Sequence, residues 1–236
     1  MVEVYAVNIH QPINNGQKLQ MLSYISESQR HRYERFYFED DKKRFLYGNV
    51  LSRYFVGKKL NQAGETIEFD SNPFGKPYVK GFPFIHFNIS HSGEWVVFAI
   101  GNSEVGVDIE QIKPTDMQVA RRFFTQNEYK TITATREEER LKAFYLIWTM
   151  KESYIKYLGK GLSIQLDSFE AVKTPTGFTV AGSETEIAIW QSETLSGYML
   201  SLCHTADDEF LGMQILEIEK LIHKEFSIYP AATQSR

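Results

Sequence analysis

His86-Phe87-Asn88-Ile89-Ser90-His91-Ser92-Gly93-Glu94-Trp95-Val96-Val97-Phe98-Ala99-Ile100 is the stretch on which the fold class turns. Phe87 and Ile89 alternate with His86, Asn88 and Ser90, so apolar and polar side chains leave on opposite faces, as on a strand. Ser92-Gly93-Glu94 turns the chain, and the apolar run over 95–100 has the length of a buried strand. The stretch predicts an antiparallel hairpin. On its C-terminal side Val105-Gly106-Val107-Asp108-Ile109-Glu110 predicts another strand. On its N-terminal side Ile67-Glu68-Phe69 predicts a short one, followed by the turn-rich loop Asn72-Pro73-Phe74-Gly75-Lys76-Pro77.

Helical patterns precede and follow this β region. Residues 2–9 read as an opening strand, and Asn14-Asn15-Gly16 as a loop. Helices are expected over 18–25, from Ser26 onward, and over 39–60, where Phe45, Val50, Leu51, Tyr54 and Phe55 form an apolar stripe. Further helices are expected over 118–124, 127–133 and 137–158, the last ended by Gly159. Short strands follow at 169–172, 178–180, 187–190, 198–204 and 212–218. Each half thus reads as helices followed by antiparallel strands. The segments 94–100 and 197–204 read as equivalent edges of a duplicated unit.

Composition narrows the functional classes. The 236 residues carry 26 Lys and Arg against 30 Asp and Glu, a net charge of −4, with 42% hydrophobic and 24% charged residues. That balance excludes a disordered chain. It also argues against a basic fold that grips nucleic acid through its phosphates, so no nucleic-acid partner is expected. Any anionic ligand must be held by a local cluster. The single Cys203 leaves no partner for a disulfide or a CxxC zinc site and fits a reducing compartment. The first ten residues lack a signal-peptide pattern, and the apolar run over 95–100 is too short to cross a bilayer. A soluble cytoplasmic protein without a membrane partner is expected.

Three features carry chemistry. Asp108 and Glu110, two apart on a strand, aim two carboxylates at one point while Val105, Val107 and Ile109 anchor the opposite face. Alone, such a pair is more often a solvated strand face. Trp148, Glu152 and Lys156 share one helical stripe at i, i+4 and i+8. Alone, that is an amphipathic helix with a surface ion pair worth about 0.3–0.5 kcal/mol. Together, Asp108, Glu110 and Glu152 compose a three-carboxylate oxygen set suited to Mg²⁺, with Lys156 facing its anionic ligand. The third feature is a spread of phosphate-holding groups: Arg30, Arg32, Arg35 and Arg44 on helices, Lys76 after a loop glycine, and Ser90 with His91 at a strand end. Several of these arginines are bystanders, because a basic helix face is usually only solvated. His86 reads as a packed interior histidine, and Glu137-Glu138-Glu139 as a solvated helix face. There is no Walker A loop, dinucleotide-binding glycine pattern, HExxH pair or Gly-x-Ser-x-Gly elbow.

These pieces, in this order, resemble one family: the 4'-phosphopantetheinyl transferases of the surfactin-synthetase-activating (Sfp-like) type. The matching segments are Phe74-Gly75-Lys76-Pro77, Phe87-Asn88-Ile89-Ser90-His91-Ser92, Gly106-Val107-Asp108-Ile109-Glu110, and Trp148-Thr149-Met150-Lys151-Glu152-Ser153 with Lys156, Gly159, Lys160, Gly161 and Leu162. The resemblance extends from the opening strand to about residue 220. It implies an α+β fold with a pseudo-twofold duplication, residues 1–103 forming the half that contacts coenzyme A and 104–236 the half with metal and catalytic residues. The active site would lie in the cleft between them.

The implied reaction moves the 4'-phosphopantetheine arm of coenzyme A to a serine of an apo peptidyl or acyl carrier protein and releases adenosine 3',5'-bisphosphate. By the same resemblance Asp108, Glu110 and Glu152 would hold Mg²⁺ against the pyrophosphate. Glu152 would also take the serine proton, directly or through water. Lys156 would stabilise the pyrophosphate, and Lys76, Ser90 and His91 would contact coenzyme A. Arg32 and Arg44 match positions near its nucleotide end. There the pattern departs: the family commonly carries lysine where this chain has Gln29 and Arg32, and a smaller polar residue where it has Phe45. The carrier would dock near the cleft, along the segment after Gly161, and an internally duplicated chain would act as a monomer. Two other readings stay open here: another Mg²⁺-dependent phosphotransferase, and a non-catalytic module that binds coenzyme A or a carrier.

Overall fold

The computed structural model describes residues 1–175, 177–219 and 221. β1 (Val2–Asn8) opens the chain as the alternation predicts. The expected loop at Asn14 is instead a helix start, because Asn14 and Gln17 cap each other's backbone N–H reciprocally and α1 (Asn15–Ser23) begins there. Ser26 and Gln29 repeat that device at α2 (Glu27–Arg35). α3 (Glu39–Leu60) carries Glu39, Asp40 and Asp41 in its first turn and Lys58 and Lys59 in its last, matching the helix dipole, and it ends where Asn61 turns left-handed at φ 54°.

The short strand expected at 67–69 lies two residues later, as β2 (Phe69–Ser71), because Pro77 at the end of the loop starts its partner β3 (Pro77–Val79). β4 (His86–Ser92) and β5 (Trp95–Gly101) form the expected hairpin, and β6 (Val105–Gln111) follows. α4 (Gln118–Phe123), α5 (Gln126–Ala134) and α6 (Glu137–Leu158) come next, and Gly159 ends α6 at φ 64°. The chain continues through β7 (Ala171–Thr174), β8 (Gly177–Val180), β9 (Ile187–Ser192), β10 (Tyr198–Thr205) and β11 (Phe210–Leu216).

Besides the two-stranded β2-β3 ribbon there are two larger sheets, one of order β11-β1-β5-β4 and one of order β6-β10-β9-β8-β7. Within them the arrangements β1-β5-β4 and β6-β10-β9 correspond, each built from a strand, helices ending in one of 22 residues, and two strands. The duplication is therefore architectural. Two expectations change. Segments 94–100 and 197–204 are equivalent but central, not edges, since continuous apolar strands are accommodated where both sides are covered. Nor are all strands antiparallel: β11 pairs parallel to β1, and Ile218 and Leu221 join the core around α3, so the chain recrosses the division expected at residue 103. Residues 222–236 of the expected second half lie outside the described residues.

The layers run helices, sheet, sheet, helices. Tyr5, Phe55, Phe87 and Phe98 form a ring stack between the first sheet and α3, with Tyr5 and Phe55 centroids 3.7 Å apart. Val2, Val4, Ala6, Val97 and Ala99 face Val105, Val107, Ile109, Leu200 and Leu202 in a dry layer between the sheets. A fully buried side chain of this kind contributes roughly 1.5–3 kcal/mol. Among the described residues no helix is long and apolar enough to cross a membrane.

Candidate active site

With Val105, Val107 and Ile109 committed to the inter-sheet layer, alternation sends Gly106, Asp108 and Glu110 to the opposite face of β6, toward α6. Gly106 makes the approach of that helix possible. A Cβ there would collide with the Ser153 carbonyl oxygen and the Tyr157 amide nitrogen of α6. The close contact carries the Trp148, Glu152, Lys156 stripe to Asp108 and Glu110, and all five line an open cavity of about 550 Å³ with Ser90, His91, Phe123 and Leu166.

The open edge of β6 is closed by side chains of β4. Asn88 Oδ1 accepts the Val107 N–H at 3.0 Å, Ser90 Oγ the Ile109 N–H at 3.2 Å, and Ser92 Oγ the Gln111 N–H at 3.1 Å. The two hydroxyls donate in turn to the carboxylates, Ser90 to Asp108 at 3.0 Å and Ser92 to Glu110 at 2.8 Å. Lys156 Nζ completes the corner, 2.6 Å from Asp108 Oδ1 and 2.9 Å from Ser90 Oγ. The sequence suggested a Glu152–Lys156 surface pair; the lysine instead neutralises a buried aspartate.

Asp108 is 4% exposed, and its Oδ2 is buried without a hydrogen-bond partner. Burial pushes its carboxyl above the usual range despite Lys156 and Ser90. Burial, and then repulsion from Asp108, pushes Glu110 and Glu152 up as well. As the side chains stand, no group of three or more His, Cys, Asp or Glu among the described residues encloses a cation position. The donor chemistry nevertheless suits Mg²⁺: three hard carboxylates around one cavity, each with raised proton affinity, and an orphaned oxygen pointing at none of the protein's donors. His91 remains solvent-accessible, while partial desolvation, reinforced by Arg44 and Lys156, holds its pKa low.

Other expected ligand-binding residues divide. Arg32 lies over the Phe45 ring, 5.1 Å from its centroid, in a cavity of about 560 Å³ shared with Gln29 and Asn49. Phe45 is thus a platform for the Arg32 guanidinium. Ile89 lines this cavity, the carboxylate cavity and a third between them bordered by Gly75, Lys76 and Gly161, so the three adjoin. Lys76 borders the third, but its ammonium is used by the protein: it pairs with Glu104 and donates to the Val105 and Tyr157 carbonyls at 3.1 and 2.9 Å. Arg44 likewise donates to the Gly93 carbonyl and pairs with Asp41 at 2.6 Å, bracing the β4–β5 turn outside these cavities. Arg30 and Arg35 are exposed, as is Glu137-Glu138-Glu139. His86 is only half-buried, and pairs with Glu104 at 3.1 Å.

Asn88, Ser92 and Gly106 were not singled out in the sequence as parts of a site. The usable signal was small polar residues at every second position of β4, facing away from Phe87 and Ile89. Lys151 was also missed. It lies next to Glu152 but turns away from the cavity, 1% exposed, donating to the Leu166 and Phe169 carbonyls at 2.7 and 2.6 Å and pairing with buried Glu128 at 2.8 Å. It ties the segment after Gly161 to α6.

Comparison with known proteins adds two family matches. Residues 11–104 match "4'-phosphopantetheinyl transferase, N-terminal" and residues 104–203 match "4'-phosphopantetheinyl transferase superfamily". The chain is 34% identical to 4'-phosphopantetheinyl transferase Sfp of Bacillus subtilis (strain 168) over 94% of its own length and 100% of the relative's. It is 37% identical to 4'-phosphopantetheinyl transferase gsp of Aneurinibacillus migulanus, over 94% and 92%. Identity to 4'-phosphopantetheinyl transferase HetI of Nostoc sp. is 32%, over 74% and 75%.

Proposed function

Because the chain belongs to the 4'-phosphopantetheinyl transferases, we propose that its adjoining cavities form one groove that holds coenzyme A and that Asp108, Glu110, Glu152 and Lys156 carry the transfer. The protein is an enzyme that transfers the phosphopantetheine of coenzyme A to apo carrier proteins. The observation that carries the assignment of residues is the meeting of two β6 carboxylates with Glu152 and Lys156 of α6 in one cavity.

In this reading the carrier serine oxygen forms a bond to the phosphorus bearing the pantetheine arm. The bond from that phosphorus to the bridging pyrophosphate oxygen breaks, and adenosine 3',5'-bisphosphate leaves with the electron pair. Glu152 takes the serine proton, directly or through water. Lys156, held between Asp108 and Ser90, keeps a positive charge beside the pyrophosphate. Asp108, Glu110 and Glu152 would hold Mg²⁺, which supplies countercharge for the departing bisphosphate. His91 and Arg32 contact phosphates along the groove, whereas Lys76 and Ser90 act mainly by holding its walls and Arg44 by bracing the β4–β5 turn beside it. The carrier approaches beside the segment after Gly161. Both units that frame the groove belong to one chain, so a monomer suffices, and buried Cys203 suits the reducing cytoplasm.

The test is intact mass spectrometry of an apo peptidyl carrier protein incubated with this protein, coenzyme A and Mg²⁺. One added phosphopantetheine, abolished by a chelator, is the expected result. No gain on several apo carriers, with coenzyme A still bound, would instead support a binding module.

A further inference from the structure

We propose that Ser92 is a positioning residue: its hydroxyl, supplied by one unit of the duplicated chain, holds the Glu110 carboxylate of the other in the orientation needed for cation binding. The proposal rests on the transferase reading above and adds a residue to it. Glu110 faces repulsion from Asp108 two residues away, and nothing in β6 itself prevents its side chain from rotating toward solvent. Among the described residues the one hydrogen bond to its carboxylate is the 2.8 Å donation from Ser92. The Gln111 N–H, 3.1 Å from the same oxygen, anchors the hydroxyl beside Glu110 and leaves its one proton free for the carboxylate.

Ser90 treats Asp108 in the same way, giving its single proton to Oδ1 and receiving the Ile109 N–H and Lys156. Asn88, the third rung, differs. It accepts the Val107 N–H but meets no carboxylate, since residue 106 is glycine. The same ladder therefore contains two rungs that act on acids and one that only closes a strand edge. This contrast separates positioning from structural support. Outer partners of metal-ligating groups typically govern affinity by about 10–100-fold.

The experiment measures Mn²⁺ binding to the full chain by electron paramagnetic resonance, without coenzyme A or carrier, alongside thermal unfolding and coenzyme A affinity. Ser92→Ala should weaken Mn²⁺ binding about 10-fold and raise the half-saturating Mg²⁺ concentration for transfer by a like factor. Its unfolding midpoint and coenzyme A affinity should stay close to the parent's, and Ser92→Thr, which keeps the hydroxyl, should restore metal binding. Asn88→Ala should lower the unfolding midpoint and leave Mn²⁺ affinity unchanged. Parent-like Mn²⁺ binding by Ser92→Ala overturns the proposal, as does equal weakening by Asn88→Ala. If Asn88→Ala does not fold, the Ala and Thr variants of Ser92 decide alone. A parent chain that transfers phosphopantetheine but binds no Mn²⁺ sinks the metal reading itself, a different failure from a Ser92 variant that behaves as the parent.

Discussion

β1 and β6 hold equivalent places in the two units, yet their outer edges are closed differently. β11 covers β1 by parallel backbone pairing, whereas Asn88, Ser90 and Ser92 cover β6 with side chains. Backbone pairing satisfies an edge and leaves no reactive group behind. Side-chain pairing satisfies the same amides and also delivers hydroxyls beside carboxylates. The long helices differ in parallel: α3 lies chiefly over central β5, while α6 lies against β6 as well as β10. Gly106 permits that shift, which brings Glu152 and Lys156 to the seam. The proposed site thus lies where the duplication is least symmetrical.

The largest loss is expected at Glu152. Glu152→Gln should lower turnover by about 10²–10⁴-fold with an unchanged unfolding midpoint, measured on an apo carrier. Full turnover would remove the α6 acid from the mechanism. Gly106→Ala is next. Its methyl must push α6 away, costing about 1–3 kcal/mol in urea unfolding and about 100-fold in kcat/KM through displaced Glu152 and Lys156. Gly48→Ala in α3 sharpens the contrast, because its methyl would meet Ile89 at an ordinary 3.5 Å. It should be neutral or add up to about 1 kcal/mol through helix propensity. If it proved as damaging as Gly106→Ala, the special role of the β6 approach would be lost.

The smallest effect concerns pH. Glu104 stands where β5 passes into β6; desolvation tends to raise its pKa, but His86 and Lys76 outweigh that and bring it down to about 2. Because this folded-state value lies below the ordinary 4.5, the unfolded chain binds more protons between the two. Stability from this corner is present above about 4.5 and fades as pH falls toward 2. The carboxylate is 47% exposed, so screening keeps the contribution modest. Glu104→Gln should flatten the stability profile slightly in that window; an unchanged profile would show the corner to be inert.

Much of this was legible in residue order. Alternation gave β4 and β6 their faces, the i, i+4, i+8 stripe put Trp148, Glu152 and Lys156 together, and a helix was expected from Ser26 onward. The family was legible because four motifs occur at fixed order and spacing. Other features were not. Residue order did not show that Lys76 and Arg44 are also engaged by the protein, because their partners Glu104, Tyr157 and Gly93 are distant in sequence or contribute only a backbone carbonyl. β11 was expected in an antiparallel set, since period-two alternation carries no direction.

Most helices and strands, the residue types of the candidate site and membership of the transferase family follow from residue order, because they depend on local period, capping and motif order. That Lys156 pairs with Asp108 instead of Glu152, that Lys151 turns away from its neighbour and that Ser92 reaches Glu110 is settled by three-dimensional packing. Those choices depend on which strand edge faces which side chain and on how closely a glycine lets a helix approach. They are distances between residues far apart in the chain, and no pattern along the chain encodes them singly.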